Sequence, residues 1–138
     1  SNLTGALPAL DGSALTGVAD TTKLPLAGGT LTGSVTFEDA INENVFAITD
    51  ASSVALDPDN GMIQTWTLQA NRTATDSFTT GQSMLLIVTG TSSSYTMTWP
   101  TMTWVGGSAP TLGGATPTAI ELFKVGSTLY GAKVGDLG

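Results

Sequence analysis

Cysteine and histidine are both missing from this 138-residue sequence. Their absence removes disulfides, thiol nucleophiles, imidazole bases and the common zinc ligand sets together. Cations are nearly as scarce: Lys23, Arg72, Lys124 and Lys133 stand against eleven acidic residues, for a formal net charge of −7. With no basic cluster to neutralise phosphates, nucleic acid is a poor partner, and an anionic membrane surface is equally poor. No apolar run approaches the roughly 20 residues that span a bilayer, so no membrane insertion is expected. The first residues also lack the positive charge and apolar stretch of a signal peptide.

Catalysis has little left to work with. A glycosidase needs two carboxylates facing one another across a cleft. Only Asp76 and Glu121 lie well inside the β-rich half, and no feature of the sequence brings them together. Asp57-x-Asp59-x-Gly61 superficially matches the start of a calcium loop, but Gly61 and Leu68 occupy the fifth and twelfth positions, where oxygen ligands belong. A turn is the better reading. Gly106-Gly107 and Gly113-Gly114 are not followed by Gly-Lys-Ser/Thr and so do not form a phosphate cradle. The expectation is a non-enzymatic protein with no metal and no cofactor.

Small residues take the place of the missing charges. Charged residues are only 11% of the chain, glycine numbers 17, and threonine and serine are abundant. That balance suits a β-rich extracellular or structural protein better than a cytosolic enzyme. Leu-Thr-Gly occurs at 3–5, 15–17 and 31–33, with turn signals at Asp11-Gly12, Pro25 and Gly28-Gly29 between the copies. The apolar residues here are too sparse for one chain to bury against itself. Stacked copies of such a unit can bury them only against further repeats or other chains. Leu3, Leu15 and Leu31 are therefore the candidates for a shared axis between chains, and residues 1–36 read as a shaft. A low-complexity leader is the competing reading.

Residues 37–60 read as a neck, in which Val45–Ile48 and Val54–Leu56 are apolar clusters of strand length. From Gly61 to Gly138 the pattern is that of a compact knob. Trp66 and Leu68 alternate with Thr65, Thr67 and Gln69, as in a half-buried strand. Met84-Leu85-Leu86-Ile87-Val88 is continuously apolar, the pattern of a strand covered on both faces. Tyr95, Met97 and Trp99 share one face. After Pro100, Met102 and Trp104 resume with opposite parity, which predicts a bulge or an edge. Gly126-Ser127 predicts a hairpin turn. The fold class expected is all-β: an elongated N-terminal shaft shared between chains, followed by a compact antiparallel β-sandwich or barrel.

The aromatics are the remaining candidates for binding. Tyr95, Trp99 and Trp104 adjoin a loop, 105–118, that begins Val105-Gly106-Gly107-Ser108. Exposed indole and phenol faces stack on the apolar faces of sugars while nearby hydroxyls supply hydrogen bonds. Packing inside a core is the alternative for all three rings. Gly106, Gly107 and Ser108 are candidates through their place beside Trp104.

The words of the sequence resemble a known family. "LPALDGSALTGV" and "KLPLAGGTLTGSVTF" closely resemble repeat units of bacteriophage tail fibres and related fibrous phage proteins. "QTWTLQAN", "TWPTMTWVGGSAPTL" and "ELFKVGSTLYGAKVG" look similar to the knobs that end such fibres. The resemblance implies a homotrimer, a threefold shaft, a place in the virion beside other virion proteins, and a distal head that binds a host surface glycan or protein. A trimeric capsid-decorating protein built from the same module is the alternative. A depolymerising spike is more distant, because the acid pair is missing.

Overall fold

The chain winds back and forth between two sheets. The computed structural model describes residues 29–138 and divides the chain into two units, Ser1–Asp39 and Ala40–Gly138. In the first unit the described residues, 29–39, form neither strand nor helix, and Leu31, Val35 and Phe37 are exposed. Leu3, Leu15 and most of the expected shaft lie outside the described residues.

In the second unit the strands are β1 (Val45–Ile48), β2 (Ser53–Leu56), β3 (Ile63–Leu68), β4 (Arg72–Asp76), β5 (Ser83–Gly90), β6 (Met97–Thr98), β7 (Thr103–Trp104), β8 (Thr118–Val125) and β9 (Thr128–Asp136). A single 3-10 turn, Pro58–Asn60, is the only helical element among the described residues. Up to β7 the strands alternate between sheets: β1, β3, β5 and β7 belong to sheet A, and β2, β4 and β6 to sheet B. Each winding adds one strand to each sheet after roughly 20 residues, the short end of solenoid repeats.

This winding overturns the expectation of an antiparallel knob. Sheet B is parallel throughout, and β1, β3 and β5 of sheet A are parallel to one another. Neighbouring strands of one sheet run the same way because the chain visits the other sheet between them, which supplies the long return that parallel pairing requires. Antiparallel pairing enters only with the β8–β9 hairpin, whose turn begins at Gly126 as expected. That hairpin inserts between β5 and β7, so sheet A has the order β1-β3-β5-β8-β9-β7 and is mixed.

The expected neck does not stand apart from the knob. The boundary between units falls at Asp39/Ala40, and β1 and β2 form the first winding of the second unit. Ile48 and Leu56, from those two strands, belong to its core. Pro100 marks an edge, as expected, and no bulge: it stands between β6 and β7, each an edge strand of its own sheet. It lies where the chain crosses from β6 in sheet B to β7 in sheet A, which accounts for the change of parity.

The inward residues of both sheets make one core, in which Leu56, Trp66, Leu86, Ile120 and Leu122 are fully buried. Trp66 and Leu68 point inward from β3, as the alternation predicts. On β5, Met84, Leu86 and Val88 are buried while Leu85 and Ile87 are only half-buried, so one face is covered and not two. Buried polar groups are satisfied. Gln64 donates to the carbonyls of Asp57 (2.6 Å) and Gly61 (2.8 Å). Thr118 accepts from Gly113 N–H at 3.0 Å and donates to Asp136 at 2.8 Å. Trp66 Nε1 donates to Asp50 Oδ1 at 2.8 Å, and Arg72 grips the same carboxylate through Nε and Nη2.

Candidate functional site

Tyr95, Met97 and Trp99 alternate along the segment that forms β6, and that parity brings all three to one wall of a cleft. Met97 is buried in the core, while Tyr95 and Trp99 are half-buried and pack against the core. Ala109, Pro110, Thr111 and Leu112 form the opposite wall, and Ser93 and Thr96 complete the rim. The volume is about 290 Å³, at the small end for ligand clefts.

The first wall ends at Trp99 and the second begins at Ala109, and the two are held together by backbone. Gly90 N–H donates to the Gly114 carbonyl. Gly114 has φ +68°, and a Cβ there would lie 2.6 Å from Ser93 Cα. The 109–114 loop thus presses directly on the serine-rich segment leading into Tyr95, and only a glycine allows it to approach so closely. Below that contact, Thr118 holds Gly113 from β8. On the other side, Asn71 Oδ1 accepts from Thr96 N–H at 3.0 Å and ties the first wall to the start of β4.

Trp104 supports the cleft without lining it. Its ring meets Trp99 edge-on, with centroids 5.0 Å apart and planes at 78°. Trp104 sits beside Gly131 in the β7–β9 pairing, where the missing side chain leaves room for the indole. Gly106, Gly107 and Ser108 are exposed and do not line the cleft; Gly107 N–H closes a turn on the Trp104 carbonyl at 3.0 Å. The structure therefore brings Tyr95 and Trp99 together, sets Trp104 behind Trp99, and leaves the three loop residues outside. Pro110, Thr111 and Leu112 are the functional candidates that sequence reasoning missed. Their loop was recognised, but its approach to Ser93 depends on a glycine contact that no local pattern reveals.

The cleft is chemically simple. Tyr95, Trp99, Met97, Pro110 and Leu112 supply its apolar lining, and Ser93, Tyr95, Thr96 and Thr111 bring hydroxyl-bearing side chains to it. No carboxylate lines it. Asp76 and Glu121 play no part in it: Asp76 accepts from Lys124 Nζ at 2.6 Å, and Glu121 lies on β8 between Leu85 and Ala132. Burial raises the Glu121 carboxyl above its ordinary 4.5. Asp57 caps the 3-10 turn by accepting from Asp59 N–H at 3.1 Å, so the Asp57–Gly61 stretch is a turn as expected.

The chain matches no family model, no curated protein and no solved structure.

Proposed function

We propose that this chain is the distal part of a bacteriophage tail fibre, a homotrimer in the virion that attaches to the host cell surface by non-covalent binding. A surface glycan is the proposed ligand, and the Tyr95–Trp99 cleft is its proposed site. The observation carrying this reading is a cleft lined by Tyr95 and Trp99 together with the hydroxyl-bearing Ser93, Thr96 and Thr111. A sugar ring offers that same combination, with C–H groups on its faces and hydroxyls at its edge. The cleft's neutrality favours a neutral ring over a phosphate or a carboxylate, since no cation lines it. The phage assignment rests on the repeat words of residues 7–18 and 23–37. Several identical weak sites on one fibre would gain strength by multivalency.

Adsorption competition tests the reading. Purified chain is added to susceptible cells before phage, with its mass in solution verified. Saturable protection is expected. Trp99→Ala should weaken it by about tenfold or more through lost stacking, and Ser108→Ala should leave it intact. A folded protein that neither binds cells nor protects them would turn the assignment toward a structural, capsid-decorating role.

A further inference from the structure

The two sheets of the second unit present unlike outer faces. Sheet B turns Ser53, Ala55, Thr73, Thr75 and Thr98 outward, all exposed and all small or hydroxylated. Sheet A turns Val45, Ile63, Leu85, Ile87, Phe123 and Tyr130 outward. These form short apolar rows across neighbouring strands, the first ending at Glu121 and the Phe123–Tyr130 pair lying beside Ser83. Val45 lies beside Ile63 and Ile63 beside Leu85, while Thr65 lies beside Ile87. Phe123 lies beside Tyr130 with the rings stacked, centroids 5.2 Å apart and planes at 11°. No strand or helix among the described residues packs over this face. The unbroken apolar run of β5 is thus half used: the inward residues fill the core, and Leu85 and Ile87 lie on an open sheet. A cluster of apolar residues on an open sheet face is a candidate interaction site.

Charge limits what can cover it. Glu121 is the only carboxylate in these rows, and no cation stands among them. Arg72, Lys124 and Lys133 are each engaged in an ion pair, with Asp50, Asp76 and Asp136 respectively. An anionic partner therefore finds no free cation among the described residues, and a strongly basic one finds a single acid. A neutral apolar surface is the complement, and a second copy of this chain carries one. Copies of an acidic chain repel each other over most of their surface, and least across this face. Strand spacing and rise give a face of roughly 20 by 25 Å, about 500 Å² per partner, which reaches the lower bound of about 1,000 Å² in total for a specific interface.

We infer that the outer face of sheet A is a self-association surface, where copies of this chain pack sheet against sheet. The number of copies, three, rests on the fibre reading above; the choice of face does not.

Mass in solution, measured on the full chain over a range of concentrations, tests the inference. The unaltered chain should be an oligomer. Ile87→Glu should raise the dissociation constant by about 100-fold or more, because the new carboxylate would be buried unpaired. Thr75→Glu, on the outer face of sheet B, should leave the mass unchanged. Ile87→Thr, a gentler change, should weaken association while retaining the fold and serves if the charged variant does not fold. An unaltered chain that is monomeric at every concentration would overturn the inference, as would a folded Ile87→Glu oligomer of unchanged mass. Covering by the chain's own N-terminal segment, or by another protein, would give the monomer result. Binding to immobilised glycan, measured in parallel, separates this test from that of the cleft. A monomeric Ile87→Glu should keep single-site binding and lose avidity, and loss of glycan binding in an intact oligomer would count against the cleft alone.

Discussion

At Gly131 a hydrogen stands where any other residue carries a carbon, and neighbouring side chains use the room. A Cβ there would lie 2.6 Å from Met102 Cε and 2.7 Å from Trp104 Cζ3. The methionine end can swing away; the indole, wedged against Trp99, has less freedom. Gly131→Ala should therefore destabilise the protein by about 1–3 kcal/mol in urea unfolding and alter tryptophan fluorescence as Trp104 shifts. Asp50 is the second residue on which much converges. The Arg72 guanidinium beside it, helped by Trp66 Nε1–H, holds its carboxyl below the ordinary 3.8, although burial pushes the other way. A depressed carboxyl contributes stability that is present above the unfolded value and lost as pH falls through the folded one. Asp50→Asn should thus lower the unfolding midpoint at pH 7. The gap from the parent should narrow below pH 3.8 and close once the native carboxyl is protonated.

Strands obey a different logic from single residues, and they show where sequence is a sufficient guide. The inward parity of β3, the hairpin at Gly126-Ser127 and the shared face of Tyr95, Met97 and Trp99 were all legible, because a period of two and a glycine turn are local. Strand direction was not. Turn residues such as Asp57–Gly61 look alike whether the chain doubles back beside itself or crosses to a second sheet, and here it crosses. The far wall of the cleft was illegible for the same reason: Pro110 and Leu112 are placed by a contact between Gly90 and Gly114. On β8 the outward residue Glu121 faces Leu85 and Ala132, with Tyr130 one pair along the neighbouring strand. Burial raises its carboxyl above 4.5, so the ionised form is disfavoured in the fold. The associated stability is complete below 4.5 and is lost as pH rises through the folded value. Glu121→Gln should accordingly stabilise the monomeric unit at pH 7, by no more than about 0.5 kcal/mol because the group stays largely hydrated, and should make no difference at pH 3.5.

For the whole molecule, the apolar residues outside the core matter as much as those within it. Leu31, Val35, Phe37 and Ile41 keep 48% to 65% of their surface open to water. If residues 1–36 form a shaft between chains, Leu31→Asp should lower the oligomer's mass in solution and its heat resistance. Unchanged values would remove Leu31 from any axis. The placement of the final hairpin has its own consequence, which concerns the order of manufacture. β8 and β9 follow β7 in the sequence, yet they lie inside sheet A, and among the described residues β7 has β9 as its sole strand partner. Until they arrive, β5 is an open eight-residue edge and β7 has nowhere to dock. A chain cut short before β8 therefore keeps a long, apolar, adhesive strand exposed, the kind of feature that drives aggregation and chaperone capture. The insertion makes closure of sheet A depend on strands that come after β7 in sequence: without β8, β5 lacks its second neighbour, and without β9, β7 lacks its strand partner.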